Sequence, residues 1–137
     1  MIVVDTGVIY GAADADDPRH GDCAQVLDAY AAERLVVVVP VVVESAWLIE
    51  SRLGPAAEAS FLRSLDAGEV ERIEMVDADW ARVAELVETY TDLGLGTVDA
   101  SVIAGAERLG VTTVATLDRR HFSVVRPRHV DAFELVP

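Results

Sequence analysis

The chain opens with the stretch MIVVDTG, residues 1–7. Its apolar part, Ile2–Val4, has no polar alternation, which is typical of a strand covered on both faces in a parallel sheet. The strand ends on a carboxylate, Asp5. That side chain can cap a helix that follows, or it can form one arm of a binding site at the end of the strand. The positions of the other acids along the chain distinguish these two interpretations.

Similar apolar runs recur along the chain, and helical patterns separate them. Apolar residues spaced at i, i+3, i+4 and i+7 predict helices, and Pro40, Pro55 and Thr97 suit helix starts. Strands that alternate with helices predict a three-layer α/β domain with a mainly parallel sheet of four or five strands, flanked by helices. The further predicted strands are Leu35–Val39, Val70–Glu74, Thr113–Thr116 and, as a fifth, Phe133–Val136; the predicted helices cover residues 23–30, 40–53, 55–65, 83–90 and 97–110.

Length and composition point to one globular domain over residues 1–137. Hydrophobic residues make up 52% and charged residues 26%, which is a globular and not a disordered composition. The longest apolar run, residues 35–43, is too short to span a bilayer, and the N-terminus shows no secretory signal. Cys23 is the only cysteine, so an internal disulfide and a thiolate metal site are excluded. These features predict a cytoplasmic protein.

The charge is strongly negative but uneven. A net charge of −13 argues against broad, nonspecific attraction to nucleic acid, because phosphate binding draws on positive surface. Residues 118–129, however, contain one acid and four of the eleven basic residues, all arginines. This segment is either a local basic edge or a set of scattered solvated charges. The four arginines are Arg119, Arg120, Arg126 and Arg128.

Four carboxylates occupy positions where strands end or helices begin. Asp5 and Asp118 directly follow predicted strands. Glu44 lies about one turn into the helix after the second strand, and Asp99 lies in the first turn of another helix. In open α/β sheets these positions line the crevice where ligands bind. Each acid alone has an ordinary explanation as a helix cap, a dipole partner, an exposed helical charge or a loop acid, but their joint placement favours a shared site.

Carboxylates that converge in this way require a compensating charge. Two of them ~4 Å apart repel by roughly 4 kcal/mol at an effective dielectric near 20. Hard oxygen ligands without thiolates favour Mg²⁺, with Mn²⁺ as a substitute. Such ions activate a water and stabilise the leaving oxygen in phosphodiester hydrolysis. The four acids therefore predict a metal-dependent hydrolytic site.

Four stretches of the sequence resemble the acidic motifs of PIN-domain nucleases, and more closely those of the VapC-type ribonuclease toxins of bacterial type II toxin–antitoxin pairs. They are MIVVDTG, VPVVVESAWL, GLGTVDASVIAGAERLG and VATLDRRHF. The resemblance implies that the four acids are catalytic and bind Mg²⁺, and that the substrate is RNA. It also implies a VapB-like antitoxin that occludes the acidic pocket, and commonly a homodimer. Thr6 and Thr116 match hydroxyl residues that support the metal site in this family.

The resulting hypothesis is a Mg²⁺-dependent endoribonuclease that cleaves structured RNA, such as tRNA or rRNA, and thereby inhibits translation and growth. The four arginines of residues 118–129 are candidates for holding RNA phosphates beside the pocket. His121 is interpreted as a surface histidine in a turn and not as a general base. Asp92, seven residues before Asp99, is interpreted as a peripheral solvated charge.

Other classes of protein with an acidic pocket fit this sequence less well. A receiver domain needs a lysine in its acidic pocket, and the chain has none. An aspartate-nucleophile phosphatase normally has a second aspartate two residues after the first, where this chain has Gly7. Two alternatives stay open: a housekeeping PIN nuclease of RNA maturation, and a non-catalytic PIN-like protein-binding module.

Overall fold

A single sheet of five short parallel strands organises the molecule. The computed structural model describes all residues from Met1 to Pro137. The strand order is β3-β2-β1-β4-β5, and every neighbouring pair is parallel. The predicted parallel sheet is therefore confirmed, with five strands. The strands are β1 (Ile2–Val4), β2 (Leu35–Val38), β3 (Glu71–Ile73), β4 (Thr113–Ala115) and β5 (Glu134–Val136).

Helices fill the connections between the strands. The five predicted helices are all present, and Gly54, with a left-handed φ of 89°, separates two of them as only glycine readily does. Two further helices follow Asp5 and Asp118 directly. The second of these occupies a segment for which the sequence predicted only a turn. The helices are α1 (Thr6–Ala13), α2 (His20–Ala29), α3 (Val39–Leu53), α4 (Pro55–Asp66), α5 (Asp77–Thr89), α6 (Thr97–Leu109) and α7 (Arg119–Val124), with a 3₁₀ helix at Thr91–Leu93.

The central strands are buried on both faces. Consecutive residues Ile2, Val3 and Val4 of β1 have no solvent exposure, and β2 is buried along its whole length. Because successive side chains of a strand point to opposite faces, helices must cover both sides of the sheet, which confirms the three-layer architecture. None of the helices combines the length and the apolar character that crossing a bilayer requires.

The topology places the end of β1 at a switch point. From β1 the chain moves outward through β2 and β3 on one side, and it then returns to build β4 and β5 on the other side. In the register of β1 and β4, Val4 lies beside Ala115, and the Asp5 amide donates to the Ala115 carbonyl at 2.9 Å. Ligand sites of open α/β sheets lie at such a point, so residues after β1 and β4 meet where a site is expected.

Helix α6 packs unusually close to the sheet through Gly105. A Cβ atom built at this residue would lie 2.6 Å from Cγ1 of Val38, the last residue of β2. That distance is shorter than real Cβ contacts, so only glycine allows the helix to lie this near to the strand. The close approach holds the helix that carries Asp99 against the edge where the strands end.

We predict that Gly105→Ala destabilises the protein by about 1–3 kcal/mol, because overpacking forces the helix or the Val38 side chain to move. Gly21→Ala is the matched control, since Gly21 also lies in a helix but has open space around it. The control is expected to be neutral or stabilising by up to about 1 kcal/mol. Urea unfolding of both variants measures the difference. Equal stabilities would contradict the close packing of α6.

Candidate metal centre

Asp5 is a buried carboxylate held by two donors. It is only 5% exposed and lies between β1 and α1. Its Oδ1 accepts a hydrogen bond from the Thr6 amide at 2.7 Å, and its Oδ2 accepts one from the Thr116 hydroxyl at 2.8 Å. Asp5 therefore caps α1 and also faces the end of the neighbouring strand β4. The capping interpretation of Asp5 is confirmed, and its role in a binding site stays a prediction.

Glu44 reaches the same region from helix α3. Because α3 begins at Val39, directly after β2, Glu44 lies in its second turn. Its Oε2 accepts a hydrogen bond from the Thr6 hydroxyl at 2.5 Å. Thr6 is itself buried, and it contacts Asp5 through its amide and Glu44 through its hydroxyl. One residue of α1 thus connects two of the four predicted acids.

Asp118 is connected to Asp5 through Thr116. The Thr116 hydroxyl, which is 1% exposed, donates to Asp5 and accepts from the Asp118 amide at 3.0 Å. The Asp118 side chain caps α7, because its Oδ1 accepts from the His121 amide at 3.2 Å. The hydroxyl of Thr116 therefore fixes one carboxylate directly and the backbone that carries another.

Asp99 lies in the first turn of α6 and contacts His121. The Asp99 Oδ2 is 2.5 Å from Nδ1 of His121, and this same nitrogen is 3.2 Å from Oδ2 of Asp118. The prediction that His121 is a surface histidine in a turn is wrong: it lies on α7, and its side chain is only 15% exposed. The spacing of Asp118 and His121, three residues apart, would place both on one helix face, but the six-residue helix gave no apolar periodicity to reveal it.

The electrostatics of the site show that the carboxylates act on one another. Burial raises the pKa of Asp5 from 3.8 to about 6, and the negative charges of Asp99 and Glu44 add to the rise, while the hydrogen bonds from Thr116 and Thr6 oppose it. Burial likewise raises the pKa of Asp99, and the contact with His121 opposes this shift. The repulsion expected from the sequence is thus present in the folded chain.

The residues fit a divalent cation. One ligand atom from each of Asp99, Asp118 and His121 lies within 4.8 Å of the others. Oxygens on opposite sides of Mg²⁺ are about 4 Å apart, so the Asp99 and Asp118 carboxylates lie at a spacing compatible with one shared ion. Asp5 is not part of this group of three. Its pKa is nevertheless raised to about 6, because burial contributes most to that shift. Which of the acids coordinate the ion stays a prediction.

Other charged residues singled out in the sequence lie outside this cluster. Asp92 is exposed in the 3₁₀ helix and has no hydrogen bond to the cluster. Three of the four arginines make internal contacts: Arg119 donates to the carbonyls of Leu135 and Pro137, Arg126 to that of Asp131, and Arg128 to the Glu85 carboxylate. Arg120 is exposed, directly follows Arg119 and has no partner within the chain.

Residues 2–126 match the PIN domain family. The chain therefore belongs to the PIN-domain family, which confirms the resemblance drawn from its four motifs. It is 35% identical over 136 residues to "Ribonuclease VapC26" of Mycobacterium tuberculosis, covering 99% of this chain and 100% of that protein. Within the PIN-domain family it is thus a homologue of a VapC ribonuclease.

Solved structures share the fold. VapC20 of Mycobacterium tuberculosis, described as a sarcin-ricin-loop-cleaving toxin, has a TM-score of 0.77 at 20% identity, covering 83% of this chain and 87% of that one. VapBC2 of Rickettsia felis, bound to a promoter DNA fragment, gives 0.71 at 16% identity, covering 98% and 97%. FitAcB of Neisseria gonorrhoeae gives 0.66 at 18% identity, covering 100% and 97%.

We predict that Asp5→Asn stabilises the metal-free protein at neutral pH. The folded pKa of Asp5 is raised, so ionising Asp5 costs stability as the pH rises through about 6, and no cost remains below about 4. A rise from 3.8 to about 6 corresponds to roughly 3 kcal/mol. We expect a gain of up to about this size at pH 7.5 that vanishes towards pH 4, since asparagine can still accept from the Thr6 amide.

Urea unfolding in EDTA from pH 4 to 8 measures this pH dependence. The control is Asp92→Asn, which removes one negative charge at an exposed position and should change stability little at any pH. A constant difference between Asp5→Asn and the unsubstituted chain across this range would contradict the assigned pKa shift.

Proposed function

We propose that this chain is a divalent-cation-dependent endoribonuclease and the toxin of a VapBC-type toxin–antitoxin pair. The observation that carries the proposal is a continuous hydrogen-bonded chain that joins acids from four separate elements at the switch point of the sheet. The full-length similarity to a VapC ribonuclease supports RNA as the substrate. Cleavage of tRNA or rRNA in the cytoplasm would stop translation and inhibit growth.

Each acid has a role in the proposed reaction. Asp5 and Asp99 are the principal residues that would hold Mg²⁺ or Mn²⁺, and Glu44 and Asp118 complete the site or orient the attacking water. When bound, the cation supplies polarisation of the scissile phosphate and a lowered pKa for water. The products are a 3′-hydroxyl and a 5′-phosphate. The buried hydroxyls of Thr6 and Thr116 hold the carboxylates in place, so that little reorganisation accompanies the reaction.

Arg120 is the arginine that we propose binds the phosphates of the RNA. It lies two residues after Asp118, is exposed, and has no partner within the chain. Arg119, Arg126 and Arg128 remain candidates, but each would have to give up an internal contact first. A net charge of −13 argues against nonspecific attraction to nucleic acid, so RNA binding would depend on a few such arginines.

The housekeeping and non-catalytic alternatives have less support. Holding Asp5 in a buried, repulsive position costs stability, and a protein-binding module would gain by losing this acid. A housekeeping nuclease would retain the acids, so the argument against it rests on the relatives, which include a toxin and a VapBC pair. The carboxylate cluster therefore supports catalysis, and the relatives support the toxin assignment.

We predict that Asp99→Asn lowers the rate of RNA cleavage at least about 100-fold, because losing several kcal/mol of cation-mediated stabilisation has this effect on a rate. Asp92→Asn is the control, since it removes an exposed acid seven residues away and should leave the rate unchanged. The measurement is cleavage of total bacterial RNA by the purified chain with Mg²⁺, Mn²⁺ or EDTA. Cleavage that persists in EDTA would instead point to a metal-free mechanism.

An apolar groove is the surface that we propose for the antitoxin. Its volume is about 630 Å³. It is lined by residues of α1, α2 and α4, by Leu35 at the start of β2 and by Val70 just before β3. Its two charged lining residues, Asp28 and Glu69, are both acidic. The matching occupant is an apolar segment that also carries a basic residue. The groove is lined by the later part of α1, whereas α1 begins beside Asp5, so a segment seated there would reach and occlude the acidic pocket by continuing along α1 towards Thr6.

A second apolar surface is the one that we propose for a homodimer. Val43 and Trp47 of α3 are 64% and 65% exposed, and Trp80 of α5 is 47% exposed. These side chains line one depression together with Glu44 and Val98. Two copies that each carry a charge of −13 repel one another, so self-association needs an apolar contact of this kind. Exposed apolar patches of this type mark interaction surfaces.

Two substitutions test these surfaces, and each serves as the control of the other. Ser60→Arg places a cation in the groove and should abolish copurification with the polypeptide encoded by the adjacent reading frame, while the mass in solution stays dimeric. Trp47→Glu should give a monomer by light scattering and keep the copurifying partner. Both residues are exposed, so the fold should tolerate them. Loss of both interactions in either variant would contradict the separate assignments.

A further inference from the structure

His121 is the one imidazole inside the acidic cluster. Its Nδ1 lies 2.5 Å from Asp99 and 3.2 Å from Asp118, and it joins helix α7 to helix α6. The other two histidines contact backbone carbonyls elsewhere: His20 that of Gly11, and His129 that of Val111. Of the three histidines, His121 is therefore the one whose side chain contacts carboxylates of the cluster.

Asp5 and Glu44 have donors that are independent of His121, whereas the Asp118 carboxylate accepts from the His121 amide. Asp5 accepts from Thr6 and Thr116, and Glu44 accepts from Thr6. Asp99 has no threonine partner, and His121 is the only side chain that hydrogen-bonds to it. His121 thus does for Asp99 what the two buried threonines do for the carboxylates on the other side of the pocket.

The short distance defines how the imidazole acts. Two carboxylate oxygens within hydrogen-bond distance of one imidazole nitrogen favour the tautomer that carries its proton on that nitrogen, because unprotonated acceptors repel. With its proton on Nδ1, this nitrogen is a donor to both carboxylates and not a cation ligand. The same N–H faces both Asp99 and Asp118, so it sets the separation of two oxygens that come from different helices.

We propose that His121 is a positioning residue of the cation site: its Nδ1–H holds Asp99 and Asp118 at a spacing that one divalent ion can bridge. The inference rests on the proposed function only in requiring that the cluster binds such an ion. It concerns the supporting contacts of the ligands and not a proton transfer to or from RNA. Partners that orient metal ligands typically contribute 10- to 100-fold to metal affinity.

The test compares three variants of the full chain by Mn²⁺ binding, followed by electron paramagnetic resonance of the free ion. His121→Ala removes the donor and should weaken Mn²⁺ binding about 10- to 100-fold. His121→Asn places an amide N–H near the position of Nδ1. Because the donor is kept, the affinity for Mn²⁺ should return to within about threefold of that of the unsubstituted chain. His20→Ala, which loses a histidine contact to backbone, should bind Mn²⁺ normally.

The outcomes separate this inference from the proposed function. If His121→Ala binds Mn²⁺ as well as the unsubstituted chain does, the positioning role is wrong while the nuclease proposal stands. If His121→Asn is as weak as His121→Ala, the imidazole acts as a ligand and not as a donor, which also overturns the inference. If the unsubstituted chain binds no Mn²⁺, the metal-dependent function itself fails. Melting temperatures without metal verify that all variants are folded.

Discussion

The structure depends on keeping mutually repelling carboxylates together with neutral donors. Asp5 is buried and held by an amide and a hydroxyl, and its pKa is raised although both hydrogen bonds act to lower it. The burial and the neighbouring acids outweigh those bonds. A cluster with this balance is poised for a cation, because a positive charge would remove the repulsion without any need to move the donors. The supporting hydroxyls belong to α1 and to the residue after β4, so the sheet itself fixes their positions.

The path of the chain explains why these four acids meet. The central strand β1 has β2 on one side and β4 on the other, so the residues that follow these strands lie next to one another at the switch point. The position of Asp99 needs a further explanation, because α6 does not directly follow a strand. Gly105 supplies what is needed by letting α6 approach the end of β2 more closely than any other residue would allow. A backbone contact six residues away thus contributes to the position of a carboxylate.

The sequence predicted the fold class and the edge on which the acids lie, because strand ends and helix starts leave clear signals. Asp5 and Asp118 could be placed from parallel topology alone, whereas the contacts of Asp99 depend on packing that no local pattern reveals. Helix α7 was missed because it has six residues and one buried side chain, Phe122, which is too few to show a period. The contacts of His121 with Asp99 and Asp118 were missed with it. Ion pairs such as Arg128 with Glu85 join residues 43 positions apart and cannot be read from composition.

The two apolar surfaces follow from the same arrangement of helices around the site. Helix α1 begins at the acidic pocket with Thr6 and continues along the apolar groove with Ile9 and Ala12. A partner seated in the groove would gain affinity from apolar contacts, and it would reach the carboxylates by continuing along α1 towards Thr6. Helix α3 combines the same two features, because it carries Glu44 between the exposed residues Val43 and Trp47. Association at this second surface would bear directly on access to Glu44, which lines it.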